Sequence, residues 1–229
     1  MSIILNIDTA IDTANLSIAE NGNILVEISN DGKKDHGSFL QPAIESILKS
    51  AGLVFKDIDA VAVSAGPGSY TGLRVGMASA KGLAFALDKP LLTIGTLKIL
   101  AYATLLQLPA ELKNKETLIC PMIDARRMEV FTALFDQLLN VLSPAAALVL
   151  NEHSFAKWLL KNKVVFSANG SEKWKAICVD PNAAFFNLKN NSLAMNVLSH
   201  QKYLEKNFAD LAYVEPLYLK DFHSTSSTL

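Results

Sequence analysis

Gly66-Pro67-Gly68-Ser69-Tyr70-Thr71-Gly72-Leu73-Arg74-Val75-Gly76 sets bare backbone, hydroxyls and a cation between an apolar run, Ile58 to Ala65, and a proline-free stretch, Leu73 to Leu87. The first reads as a strand covered on both faces and the second as a helix. Ser69 and Thr71 can each cap that helix, because a hydroxyl there accepts a hydrogen bond from an unpaired N–H of the first turn. The remaining N–H groups, the helix dipole and the glycines could together hold an anion close to the backbone. Gly66, Pro67, Gly68, Ser69, Tyr70, Thr71 and Arg74 are therefore a candidate nucleotide or anion loop. The Gly-Lys-Ser/Thr ending of a P-loop is absent. A tight strand-to-helix turn explains the same glycines, and on residue types alone both readings stand.

The helix after the loop carries a second signal. Gly72, Gly76, Ala80 and Ala84 recur at every fourth position, a stripe poor in side chains, with Leu73, Met77 and Leu87 beside it. A glycine inside a helix costs about 1 kcal/mol relative to alanine, so the stripe calls for a packing reason. Close approach of another backbone supplies one, from this chain or from the helix of a partner protein.

Hydrolytic and metal chemistry lack their residue sets. Ser69 sits in Gly-x-Ser-x-x-Gly and not in the Gly-x-Ser-x-Gly of a nucleophile elbow. His36, His153, His200 and His223 include no pair at metal-binding spacing, and His36 reads as a surface or helix-capping residue. Cys120 and Cys178 lie in apolar surroundings without a redox or metal spacing, which suits reduced core thiols of a cytoplasmic protein.

These residues need a scaffold, and the pattern supplies one. Ile3 to Thr9, Ala14 to Glu20 and Ile24 to Ser29 read as consecutive strands, the last two joined by Asn21-Gly22-Asn23. A helix from His36 or Ser38 to about Ser50 has Pro42 in its first turn and Gly52 at its end. After the glycine loop and its helix come a short strand, Leu91 to Gly95, and a helix capped by Thr96 that runs to about Gln107. Pro109 to Lys115 marks a boundary. Beyond it strands are expected at Thr117 to Asp124, Glu129 to Phe135, Leu138 to Val141 and Val164 to Ser167. Helices are expected at Glu152 to Leu160 and Asn191 to Phe208, with an irregular section at Asp180-Pro181-Asn182, an apolar segment from Leu211 to Lys220 and a frayed last nine residues. Both halves end their first strand in Ile-Asp, at Ile7-Asp8 and Ile123-Asp124.

A length of 229 residues, 50% of them hydrophobic, allows one large domain or two lobes. The net charge of −1 and small lysine groups such as Lys33-Lys34 and Lys173/Lys175 form no nucleic-acid footprint. The opening Met1 to Asn6 lacks a basic stretch and reaches Asp8 too soon for a signal peptide, and no apolar run is long enough to span a bilayer.

With the meander, the Ile7-Asp8-Thr9-Ala10 turn, the glycine loop, the Ile123 to Phe131 strand pair (IDARRMEVF) and Pro216-Leu217-Tyr218-Leu219-Lys220 in this order, the chain resembles the TsaB family across nearly its full length. The resemblance implies an α/β, two-lobed actin-like ATPase (ribonuclease H-like) fold. Each lobe is then a mixed sheet opened by a three-strand meander with flanking helices, residues 1–108 forming the first and 109–229 the second, whose last segment returns toward the first. It also implies a role in forming threonylcarbamoyladenosine beside the anticodon of tRNAs that read codons beginning with adenine. TsaB looks like a non-catalytic partner there. It binds TsaD, the transferase; the ATPase TsaE joins them; tRNA is met only through the complex. A homodimer of the free protein through the same helices competes with TsaD. Gly72, Leu73, Gly76, Met77, Ala80, Ala84 and Leu87 are the expected docking residues.

In actin-like ATPases a glycine of the Asp-x-Gly-Thr/Ser turn lets backbone approach phosphate. Here Asp8-Thr9-Ala10-Ile11-Asp12 lacks that glycine and adds a carboxylate, which would repel phosphate without a metal. Asp124-Ala125-Arg126-Arg127 also lacks it and carries two cations, able to meet phosphate or acidic groups of a partner. Asp8, Thr9, Asp124, Arg126 and Arg127 are accordingly vestigial phosphate turns. The expectation is no tightly bound cofactor and no metal in this chain, with ATP and a metal ion in the partner proteins. A small ATPase or sugar-kinase-like phosphotransferase using Asp8 and Asp124 is the alternative, and a vestigial metallopeptidase a third, weakened by the missing histidine pair.

Overall fold

The computed structural model describes residues 1–30, 35–189 and 191–220. Lys33-Lys34, His223 and the last nine residues lie outside them.

The chain opens as an antiparallel meander of β1 (Ile3–Asp8), β2 (Asn15–Glu20) and β3 (Asn23–Ser29), with Ile3 facing Glu20 and Asp8 facing Asn15. Asn21 and Gly22 both have positive φ, 50° and 82°, the hand that matches strand twist across a two-residue turn. Helix α1 (His36–Ala51) leads to β4 (Ala60–Ser64), which pairs parallel with β1, and α2 (Tyr70–Leu87) leads to β5 (Leu91–Ile94), parallel with β4. The sheet order is β3-β2-β1-β4-β5. Leu5, Ile7, Leu16, Ile18, Val61 and Val63 pack under α1 and α2; Ile4, Ala60, Ala62 and Leu92 face the other way.

The second lobe repeats the scheme. Its sheet has the order β10-β9-β6-β7-β8, with β6 (Thr117–Asp124), β7 (Glu129–Phe135), β8 (Val141–Val149), β9 (Lys163–Ser167) and β10 (Ala183–Phe186). Helix α3 (Thr96–Gln107) lies between the lobes: its Leu97, Leu100 and Ala101 share a core with Ile119, Ile123, Ala133 and Val165 of the second sheet. Thr104 Oγ1, which donates to Leu100 O, meets Ser167 Oγ at 2.7 Å across that seam.

After the short helix α5 (Ser171–Lys175) and β10 the chain returns to the first lobe, where α6 (Ser192–Leu204) packs on β1, β2, β3 and β5. The second lobe thus closes with β10.

Three expected elements differ. Leu138 to Val141 is mostly a turn, because the Asp136 carboxylate accepts from Leu138 N and Asn140 N. The strand lies beyond it as β8, whose Pro144 and alanines give little strand signal; an edge strand tolerates a proline. Glu152 to Leu160 shrinks to α4 (Ala156–Leu159), since Ser154 Oγ and Asn151 Oδ1 accept the N–H groups of Asn151 and His153, while Phe155 takes φ 65°. The helix expected to reach Phe208 ends at Leu204, and Lys206 turns left-handed at φ 54°.

Candidate functional site

Where the C-terminal ends of β1, β4 and β6 face one another, a cleft of about 1230 Å³ opens between the lobes. Pro67 to Thr71 and Arg74 form one wall, Ala10 to Asp12 a second, Ile123 to Arg126 with Asn169 a third, and Leu217 to Lys220 the mouth. Most of the loop, Asp124 and Arg126 therefore do meet, although 50 or more residues separate them in sequence.

The loop is shaped by its own chain. Ser69 Oγ accepts from Gly72 N at 3.3 Å, so Ser69 is the cap and Thr71 lies within the helix. Ser69 N donates to Ala10 O at 2.7 Å. A Cβ at Gly68 would lie 2.2 Å from Ala10 O, and one at Gly66, where φ is +101°, would lie 2.6 Å from Leu217 O. Both glycines are thus required by close backbone approach within this chain. Gly66 N donates to Thr96 Oγ1 and Gly66 O accepts from Thr96 N, so neither polar group of Gly66 is free for an anion.

The first-strand turn is likewise closed. Asp8 is 2% exposed; Ala10 N donates to its Oδ1 at 3.1 Å and Asn191 Nδ2 to its Oδ2 at 2.9 Å. Burial raises its pKa, and the hydrogen bonds it accepts oppose the rise in part. Thr9 Oγ1 donates to Gly72 O at 2.7 Å. Asp8 and Thr9 are therefore not cleft residues: they fasten β1 to α6 and α2 behind it. His36, expected at the surface or as a helix cap, is neither: Asp35 caps α1, and His36 is buried, its Nδ1 accepting from Asn30 Nδ2 at 3.1 Å and its Nε2 donating to Ile11 O at 3.0 Å, which fixes the back of the same turn.

On the other lobe Asp124 Oδ1 accepts from Arg126 N at 2.6 Å and from Lys173 Nζ at 2.8 Å. Arg126 and Arg127 both have positive φ, 68° and 48°, and the turn is closed by Ala125 N to Glu129 O and Glu129 N to Arg126 O. Arg126 lines the cleft, while Arg127 is exposed outside it. Lys173 thus sets an ammonium directly against the Asp124 carboxylate and offsets its charge. Among the described residues no group of three His, Cys, Asp or Glu could hold a metal ion, and no helix is long and apolar enough to cross a membrane.

The small-residue stripe is a correction. Gly72, Leu73, Gly76, Met77, Ala80 and Ala84 are all buried within this chain. A Cβ at Gly72 would stand 2.1 Å from Thr9 O, and one at Gly76 2.2 Å from Thr9 Oγ1. The stripe lets α2 approach β1, and its residues are not on the surface for a partner to touch; Leu87 alone of the expected set is half-buried. The exposed face of α2 holds Thr71, Arg74, Ala78, Gly82, Phe85 and Ala86, with Phe85 82% exposed. Sequence reasoning also missed Lys173 and Tyr218 as site residues, and of the two only Tyr218, inside the Pro216 to Lys220 motif, carried a signal.

A family model described as "TsaD: tRNA N6-adenosine threonylcarbamoyltransferase" matches residues 23–222. A curated relative from Bacillus subtilis, "tRNA threonylcarbamoyladenosine biosynthesis protein TsaB", is 35% identical over 132 residues, 58% of this chain and 54% of its own. Its namesake from Escherichia coli is 32% identical over 134 residues, 58% and 55% of the two. The chain spans about half the length of the curated relatives it matches. Among solved structures, a Pseudomonas aeruginosa protein with similarity to peptidase YEAZ superposes with a TM-score of 0.78 at 21% identity, over 96% of this chain and all of that one. A Clostridium difficile activator of 2-hydroxyisocaproyl-CoA dehydratase with bound ADPNP reaches 0.51 at 11% identity, over 95% and 99%. These two share the fold.

Proposed function

Because this chain belongs to the tRNA N6-adenosine threonylcarbamoyltransferase (TsaD) family and, within it, to the TsaB proteins, we propose that it is a non-catalytic subunit of threonylcarbamoyladenosine formation in tRNA. It binds and activates TsaD, the ATPase TsaE joins the pair, tRNA is met through the complex, and ATP and a metal ion are held by the partners.

One observation carries the reading: both turns that would present a carboxylate to a metal and phosphate are filled by this chain's own groups. Asp8 is buried against Asn191, and Asp124 is paired with Lys173. A phosphoryl-transfer site works by aiming fixed charge at the transferred group; Asp8 is buried away from the cleft, and the charge of Asp124, which does line it, is offset by Lys173. The partner surface we propose is the outer face of α2, where Ala78, Gly82 and Ala86 offer close approach and Phe85 an aromatic anchor of the type that dominates interfaces. Gln41 Nε2 donates to Ser79 Oγ at 2.9 Å, which continues the surface onto α1.

Size-exclusion chromatography with light scattering tests this, on the chain alone, with TsaD, and as Gly82→Leu, with tRNA modification followed in the same mixtures. No side chain stands within 4 Å of a Cβ at Gly82, so leucine there keeps the fold and obstructs the face. The expected result is a one-to-one complex formed at the expense of a homodimer, required for modification and lost in Gly82→Leu. A complex indifferent to Gly82→Leu moves the interface elsewhere.

A second reading, a small ATPase or sugar-kinase-like phosphotransferase, draws on the fold shared with the activator bound to ADPNP. Magnesium-dependent ATP turnover by the lone chain, abolished in Asp124→Asn, would establish it in place of the first.

A further inference from the structure

Downstream of α6 the chain runs back past the mouth of the cleft, fastened at successive points. Ala209 N donates to Leu91 O at 2.8 Å, Lys81 Nζ to Val214 O at 3.2 Å, and Leu217 N to Ala65 O at 2.7 Å. Leu217 O lies so near Gly66 that a Cβ there would stand 2.6 Å away. Tyr218 then enters an aromatic cluster. Its ring centroid is 5.1 Å from that of Tyr70, its hydroxyl accepts from Arg74 Nε at 3.3 Å, and the Arg74 guanidinium lies 4.3 Å from the Tyr70 centroid.

All of these anchors belong to the first lobe. Two residues later the partners change. Lys220 pairs with Glu129 at the start of β7 and lies 5.9 Å from the Phe131 ring centroid, both in the second lobe. Between Leu217 and Lys220 the chain therefore crosses the cleft it lines. The shared core of α3 also joins the lobes through buried apolar side chains, and it reaches the cleft wall at Ile11, Ile123 and Phe131. The strap is a second link between the lobes, and it spans the mouth of the cleft, where the core does not close it.

The two ends of the strap differ in kind. On the first lobe a backbone hydrogen bond, backbone contact with a left-handed glycine and a three-residue aromatic–guanidinium cluster act together. On the second lobe the tie is an ion pair whose side chains are 35% and 22% exposed, reinforced by the cation over Phe131. A partly solvated ion pair is weakened by salt and by competing charge, whereas packed backbone is not. We propose that residues 214–220 are an interlobe clasp holding the cleft at its present width, with Lys220–Glu129 as its releasable link and the Gly66, Tyr70 and Arg74 contacts as its fixed anchor. Release lets the mouth widen while the strap stays on the first lobe. The clasp is independent of what the protein modifies or binds.

Hydrogen–deuterium exchange and small-angle X-ray scattering on the whole chain test this with Glu129→Lys, Lys220→Glu and the charge-swapped double variant. Each single variant should speed exchange in the Asp124 to Glu129 turn and at Leu219 and Lys220 by about two- to five-fold, the range open to a partly solvated ion pair, and should raise the radius of gyration. Exchange at Leu217 N–H should change less, because its anchor is separate. About 0.5 M salt should reproduce the effect in the parent chain and add little in the variants. The double variant should restore both readouts; since it carries the same substitutions, restoration excludes misfolding as their cause. Single variants with unchanged exchange and scattering, or a double variant that fails to restore them, would overturn the clasp.

Discussion

Two glycines of one helix, Gly72 and Gly82, should respond to the same substitution in opposite directions. At Gly72 an alanine Cβ would stand 2.1 Å from Thr9 O and 3.0 Å from His36 Cδ2. The first atom is backbone of the buried end of β1, already fixed by Thr9 Oγ1 to Gly72 O and by Asp8 to Asn191, so it has little freedom to withdraw. Overpacking of this kind costs up to about 3 kcal/mol, and the gain in helix propensity returns about 1 kcal/mol, which leaves a loss of about 2 kcal/mol. At Gly82 nothing lies within 4 Å, so alanine keeps the whole propensity gain of about 1 kcal/mol. For a chain of this size each kcal/mol moves the melting midpoint by about 2–4 °C. Gly72→Ala should therefore melt about 4–8 °C below the parent and Gly82→Ala about 2–4 °C above it, by far-UV circular dichroism. A Gly72→Ala protein that melts with the parent would refute the close-approach argument, and if it also lost partner binding the stripe would be a docking face after all.

The ionisation of Asp8 should make stability depend on pH. Its folded pKa is raised above the ordinary 3.8, so the favourable contribution is complete below that value and is lost as pH rises through the folded value. Urea midpoints of the parent should fall relative to Asp8→Asn between the ordinary carboxylate range and neutrality, and parallel pH profiles would contradict this. Phe166 is fully buried against Phe155, Trp174 and Phe185, so Phe166→Ala should cost about 3–5 kcal/mol. Both tryptophans, Trp158 and Trp174, report on the second lobe, and their fluorescence midpoint should fall ahead of the helical circular dichroism; coincident transitions would mean that the lobes unfold as one. The Cys120 thiol is buried and its pKa is pushed up to about 12, so a thiol reagent at neutral pH should titrate Cys178 first and Cys120 only on unfolding. Rapid modification of both in the native protein would show that the second sheet opens readily.

The meander, the hydroxyl-capped loop-to-helix junction and the repeat of Ile-Asp at the end of each first strand were legible in the sequence, because each is local. Strand alternation, a hydroxyl cap and an Asn-Gly turn act over a few residues and carry their own residue preferences. Strand β8 was not legible, since its proline and alanines are tolerated at a sheet edge, and an edge is a property of the assembled sheet. The partners of the carboxylates were equally hidden. Asp8 meets Asn191 and Glu129 meets Lys220 across separations of 183 and 91 residues that no spacing rule reaches.

The faces of α2 show where this divide falls. Its sequence holds two stripes of small residues: Gly72, Gly76, Ala80 and Ala84 on one side, Ala78, Gly82 and Ala86 on the other. Sequence alone established a helix built for close approach. Which stripe meets the chain's own sheet and which is left outside was decided by Thr9, whose carbonyl and hydroxyl occupy the space that side chains at Gly72 and Gly76 would need. Both stripes hold only glycine and alanine, so the choice between them rested on the position of another strand, and only the tertiary structure contains that.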